Sequence, residues 1–253
     1  MDARGAACAR TGLKMKLRAG FDLARAGNFP SVASNVLAAL VLSSRAGPVW
    51  PAAGLLGLAL VAGGLTYAGG ATFNDVADAT FDARHRPTRA IPRGVISRAG
   101  AGWLAGGEMA LGLGLLIVAG AAVAWAGALA ATILLYDWIH KRWIGAVGLM
   151  AGCRVLLAVT LASLPGHAAQ GLFRWWVSAL FVYIVTLSLI ARWEYRAPAG
   201  RAASLGRTVG RLLAFIPLID ALALGVAGAW LAALACAAAV PLGRWAQRLA
   251  AST

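Results

Sequence analysis

Asn74, Asp75, Asp78 and Asp82 are followed within a few residues by Arg84, Arg86, Arg89 and Arg93. The chain holds only nine acidic residues in all, so three of them in one short segment form a real concentration. If that segment is helical, Asp75, Asp78 and Asp82 stand at i, i+3 and i+7 on one face, with Asn74 one turn before Asp78. Such a face repels itself unless a cation fills it. Carboxylate oxygens suit Mg²⁺, which is usually held by one or two carboxylates together with substrate phosphates. The arginines just downstream can grip those phosphates as forked donors. The alternative is a charged, solvated loop that only fixes membrane topology, which needs the arginines but not the ordered carboxylates.

These residues need a frame, and composition names it. Sixty per cent of the 253 residues are hydrophobic, 13% are charged, and the mean hydropathy is +0.75. A soluble domain carries about 25% charged residues. The expected class is all-α, a polytopic transmembrane helical bundle. Eight spans are read at 28–45, 50–74, 98–118, 120–138, 143–163, 171–191, 206–224 and 227–243, each about long enough for a roughly 30 Å hydrocarbon layer. Alanine and glycine richness suits close helix packing, with Gly106-Gly107 and Gly112-x-Gly114 as examples. The net charge of +14 invites a nucleic-acid partner. Placement argues against one. With the N-terminus cytoplasmic, all of the 23 Lys and Arg except Arg45, Arg174 and Arg154 fall in cytoplasmic segments. Membrane lipids are then the partners of this charge. Residues 1–27 lack an adequate apolar run for a cleavable signal and read as a basic cytoplasmic arm, with 28–249 as the membrane domain. Cys8, Cys153 and Cys236 are too scattered to suggest zinc or a disulfide framework.

The first cluster resembles the first aspartate motif of the UbiA-type intramembrane prenyltransferases, Asn-Asp-x-x-Asp-x-x-x-Asp. Asn74, Asp75, Asp78 and Asp82 fill its four positions. The tail Arg89-Ala90-Ile91-Pro92-Arg93-Gly94 is similar to the family's Arg-Pro-Leu-Pro-x-Gly, with Ala90 in place of the usual proline. The resemblance is to the superfamily of the 4-hydroxybenzoate polyprenyltransferases. Tyr136-Asp137, His140-Lys141 and Gly148–Arg154 look like its EboC-like branch. It implies a bundle, usually of nine spans, around a central cavity, and a second carboxylate cluster within 184–205.

That second cluster is missing. The sixth span offers Thr186, Ser188 and one acid, Glu194, flanked by Arg192 and Arg196. Glu194 is either a metal ligand or a surface carboxylate neutralised by its neighbours. Tyr136-Asp137-Trp138-Ile139-His140-Lys141-Arg142 closes the fourth span. It is either an interfacial anchor or a site element, in which Asp137 and His140 bind or shuttle a proton and Lys141 meets diphosphate. Arg154 lies inside a span, where a charge faces the bundle interior, and is expected to meet Glu108 or Asp220. Asn28 and Asn35 share one face of the first span and look inward, to a cavity or to a neighbouring helix.

What the resemblance implies is a multi-pass enzyme, its termini cytoplasmic, in a bacterial inner membrane. It would move an isoprenoid chain from a prenyl diphosphate to an aromatic or other lipophilic acceptor. Asp75, Asp78, Asp82 and Arg89 would be catalytic, with Mg²⁺ on the three aspartates. Asn74, Arg86, Lys141, Arg154, Asn28, Asn35, Tyr136, Asp137 and Glu194 would bind substrate. Trp103, Trp125, Tyr136, Tyr183 and Trp193 are candidate walls for a carbocation. The competing reading is a non-catalytic protein of the same fold that binds or helps export an amphiphile. A third, an ion-coupled transporter, calls for more intramembrane ionisable residues than this chain has.

Overall fold

A computed structural model of the chain describes residues 18–194 and 199–249, with side chains at 18–193 and 208–248. Residues 18–23 form a short helical segment that turns at Arg25 and enters a 3-10 turn, Ala26–Asn28. Among the described residues eight α-helices follow, one for each expected span: α1 Phe29–Ser43, α2 Ala53–His85, α3 Arg98–Val118, α4 Val123–Ile139, α5 Ala146–Ala162, α6 Leu172–Glu194, α7 Ala199–Val226 and α8 Trp230–Leu249. Among the described residues five stretches are long and apolar enough to cross a membrane: Ala26–Ser43, Ala53–His85, Arg98–Val118, Leu172–Trp193 and Thr208–Val226. Two shorter apolar helices, α4 and α5, stand beside them. The protein is a polytopic helical bundle.

Successive helices pack as antiparallel neighbours, and α1 runs through the middle, touching α2, α5, α6, α7 and α8. In the Ala26–Ser43 stretch 72% of residues are buried, against 28% in the most apolar 18-residue stretch of α3, which makes α1 the central helix and α3 a peripheral one. The α2–α3 contact is close because Gly69 and Gly112 lie at it. A Cβ on Gly112 would stand 2.6 Å from the Ala62 carbonyl oxygen, and one on Gly69 would stand 2.8 Å from that of Ala105. Of the glycines expected to pack closely, Gly112 lies at the tight contact and Gly106 faces the Phe73 ring at ordinary contact distance, while Gly107 and Gly114 face open space.

Tryptophans mark both ends of the bundle. Trp50, Trp125, Trp175 and Trp230 are exposed at one end, and Trp103, Trp138, Trp143, Trp193 and Trp245 at the other. Indole rings favour the headgroup level, so this is the pattern of two interfacial belts. It corrects the expectation that Trp103, Trp125 and Trp193 wall a cavity: they face outward.

The helix α2 runs well past its expected end at 74. At about 1.5 Å per residue its 33 residues extend some 50 Å, far beyond a roughly 30 Å hydrocarbon layer. Nothing in 75–85 breaks a helix; the first breaker is Pro87, which disfavours helical geometry at Arg86. The aspartates therefore sit on about two continuous helical turns, and the loop begins at Arg86 rather than at 75.

A carboxylate face roofed by basic side chains

The C-terminal end of a helix is its negative pole, so carboxylates there need compensation. Arg89 provides part of it by folding back over the end of α2. Its Nη1 donates to Asp75 Oδ1 at 2.7 Å and to Asp82 Oδ2 at 3.2 Å. The turn after α4 covers Asp78. Lys141 Nζ lies 2.6 Å and His140 Nε2 3.2 Å from Asp78 Oδ1. Lys141 also sits 3.7 Å from the centre of the Phe81 ring, a cation–π contact. Asp75 and Asp82 are buried, and Asp78 nearly so.

A residue that the sequence reading left in the N-terminal arm completes the roof. Arg25 has a left-handed backbone, φ 45°, and its Nη2 donates to Asn74 Oδ1 at 2.8 Å. The same nitrogen reaches Asp75 Oδ1 at 3.3 Å. Only its place at the mouth of the first span could have pointed to it. Asn74 passes the contact on, its Nδ2 donating to Asp137 Oδ1 at 3.0 Å. Tyr136 stacks on His140 and donates its hydroxyl to Met150 Sδ at 3.5 Å. Arg86 caps α2, its N–H donating to the Asp82 carbonyl at 2.7 Å, and its charge acts on the Asp82 carboxylate.

The end of α6 supplies a cation where the resemblance implies carboxylates. Arg192 Nη1 donates to the carbonyls of His140 at 2.9 Å and Trp143 at 3.2 Å. Arg192 thus fixes the turn that presents His140 and Lys141; the side chain of Glu194, the expected local acid, lies outside the described residues. Thr186 is exposed and spends its hydroxyl on the Val182 carbonyl, while Ser188 is buried. Of the two hydroxyls the sixth span offers, only Ser188 therefore points into the bundle.

Three expected site residues form a separate, interior network. Arg154 Nη1 donates to Asn35 Oδ1 and to the Ser31 carbonyl, and Nη2 to Ser31 Oγ at 3.0 Å. Asn35 Nδ2 then donates to both oxygens of Asp220, at 2.7 and 3.0 Å. Asp220 also accepts from Ser34 Oγ at 2.6 Å and Trp176 Nε1 at 2.9 Å. Arg154 therefore meets Asp220 through Asn35. It does not meet Glu108, which accepts from Thr72 Oγ1 at 3.5 Å. Asn28 donates to the Tyr67 hydroxyl at 3.0 Å and borders a shallow recess between α1, α7 and α8. None of the three motif aspartates lines that recess.

The donor set around α2 is all oxygen and all anionic, which fits a hard divalent cation. Among the described residues no three metal-binding side chains converge on one point, because each aspartate is drawn to a basic partner instead. Those bases have an alternative partner in phosphate, so a metal and a diphosphate arriving together could exchange with them.

The comparisons with known proteins agree with this layout. Digeranylgeranylglyceryl phosphate synthase of Metallosphaera sedula is 30% identical over 132 residues, 52% of this chain. The match spans 46% of that relative, about half its length. A solved structure from work on digeranylgeranylglyceryl phosphate synthase in membranes superposes with a TM-score of 0.59, covering 92% of this chain and 95% of its own. At 14% identity that likeness speaks for the fold alone. The sequence model of the UbiA prenyltransferase family matches residues 32–252, nearly the whole chain. An eight-helix bundle with an Asn-Asp-x-x-Asp-x-x-x-Asp face at one end thus has its place: this integral, multi-pass membrane protein belongs to the UbiA prenyltransferase family.

Proposed function

We propose that the protein transfers an isoprenoid chain from a prenyl diphosphate to a lipophilic acceptor inside the membrane. The observation that carries this reading is the convergence of Arg25, Arg89, His140 and Lys141 on one helical face of aspartates. A site with paired charges of both signs accepts a magnesium diphosphate by exchange: carboxylates turn to metal, bases to phosphate. Asp75, Asp78 and Asp82 would hold Mg²⁺, which when bound offsets charge on the leaving diphosphate. Arg89 and Lys141, already within 2.7 Å of these carboxylates, need only small movements to reach a phosphate held there. Arg25 closes the site from the side of α1. Preorganised charge of this kind stabilises the transition state as the allylic C–O bond breaks.

The second reading is a protein that binds a prenyl diphosphate without ionising it. The observation in its favour is Arg192 at the end of α6, where a second anionic pole would otherwise stand. One assay separates the two. Purified protein in lipid nanodiscs receives Mg²⁺ and labelled prenyl diphosphates of several lengths, with and without EDTA. Diphosphate release that EDTA abolishes supports transfer; tight binding with no release, whatever acceptor is supplied, supports the binding protein.

The orientation proposed is cytoplasmic for the aspartate end and both termini, in a bacterial inner membrane, because basic residues gather at that end. Thr88 is exposed in the α2–α3 loop. In a variant lacking the native cysteines, Thr88→Cys should resist an impermeant thiol reagent in sealed cells and react after lysis. Labelling of sealed cells would invert the topology.

A further inference from the structure

The chain builds the same relay twice, and one copy is incomplete. In both, an asparagine accepts from an arginine through its carbonyl and donates to an aspartate through its amide. Arg154–Asn35–Asp220 is closed: both Asp220 oxygens are bonded, by Ser34, Asn35 and Trp176. Arg25–Asn74–Asp137 is open. Asp137 Oδ1 takes the bond from Asn74, while Oδ2 is the one buried side-chain oxygen or nitrogen among the described residues that has no hydrogen-bond partner. Asp137 is 8% exposed, so Oδ2 is shielded from bulk solvent.

A buried carboxylate oxygen left empty costs stability, and folded proteins keep few of them. Asp220 shows that this chain can saturate a buried aspartate where the role is structural. The vacancy at Asp137 therefore calls for a donor that arrives from outside. Position narrows the choice. Asn74 precedes Asp75 in the chain, so Oδ2 stands one hydrogen-bonded residue away from the diphosphate face. A carboxylate repels phosphate, which excludes the leaving group as its partner. An uncharged O–H suits it.

Resting on the prenyl-transfer reading, we propose that Asp137 receives a hydroxyl-bearing acceptor and is the base of the reaction. Oδ2 accepts the hydrogen bond of the acceptor's O–H. The allylic C–O bond breaks with its electron pair going to the diphosphate oxygen. A lone pair of the acceptor oxygen forms the new C–O bond, and the hydroxyl proton passes to Oδ2, leaving a neutral carboxyl group.

The test uses purified protein in nanodiscs with Mg²⁺ and labelled geranylgeranyl diphosphate. Two O–H acceptors are supplied: water, which yields the prenyl alcohol, and a long-chain glycerol monoether. General-base removal typically costs about 10²- to 10⁴-fold, so Asp137→Asn should lower kcat on both acceptors by at least about 10²-fold. Binding of the prenyl diphosphate should be unchanged, and the apparent Tm unchanged or raised, since the vacancy no longer carries a charge. Asp137→Glu should keep part of the rate. An undiminished kcat in Asp137→Asn overturns the role, as does loss of diphosphate binding or a lowered Tm, which would make Asp137 a substrate-pole or structural residue. Transfer to a ring carbon of 4-hydroxybenzoate that proceeds unaltered in Asp137→Asn also overturns it. If the wild-type protein releases no diphosphate at all, the prenyl-transfer reading fails first and takes this role with it.

Discussion

Asp75→Asn and Asp78→Asn should each lower Mg²⁺-dependent turnover of a prenyl diphosphate by at least about 10²-fold, the cost of removing one preorganised electrostatic contact at a transition state. The two variants should fail differently. Asp75 is the meeting point of Arg25 and Arg89, so its loss removes one carboxylate charge and weakens both guanidinium contacts at once, leaving Arg25 on Asn74 and Arg89 on Asp82. Asp78 anchors Lys141 and His140, so its loss unties the α4–α5 turn from α2 while leaving the arginine roof in place. Asp82→Asn should be milder, because Arg89 keeps its shorter bond to Asp75 when the 3.2 Å contact weakens. Diphosphate release over a Mg²⁺ titration measures all three. Wild-type rates in both Asp75→Asn and Asp78→Asn would dismiss the aspartate face as the reaction centre.

The order of effects expected here depends on geometry that the sequence only partly shows. Asp75, Asp78 and Asp82 were legible because helical spacing is a local property, and because Pro87 is the first breaker after them. The eight helices were legible because apolar run length is local too. What stayed hidden depends on long-range packing. Arg25 lies 49 residues from Asn74, and only the passage of α1 through the middle of the bundle brings it there. Arg192 looked like the neighbour of Glu194, yet its 52-residue reach to the His140 carbonyl fixes the turn bearing Lys141. The tryptophans misled for a different reason. An aromatic ring suits a cation and a headgroup region equally well, and composition cannot say which way a helix face points. The same limit holds at Thr186 and Ser188, of which only Ser188 is buried.

Asp220→Asn should be the most destabilising single change in the bundle interior. Arg154 and Asp220 are joined by Asn35, which must point its carbonyl at the arginine and its amide at the aspartate. An amide at position 220 sets one donor against another. Asn35 can relieve that only by turning, which places its own amide against Arg154. Either way a guanidinium inside the bundle loses its countercharge, where water cannot replace it. Breaking a buried charge pair from one side costs about 3–5 kcal/mol. At roughly 2–4 °C per kcal/mol for a chain of this size, the apparent Tm should fall by about 6–20 °C. Arg154→Met should cost less, because Asp220 keeps donors from Ser34, Asn35 and Trp176. The double variant should then lose less than the two single losses combined, the mark of coupled residues. Thermal unfolding in nanodiscs gives each value. Additive losses, or an Asp220→Asn Tm equal to that of the wild type, would show that the two charges stand independently and that Asn35 carries nothing between them.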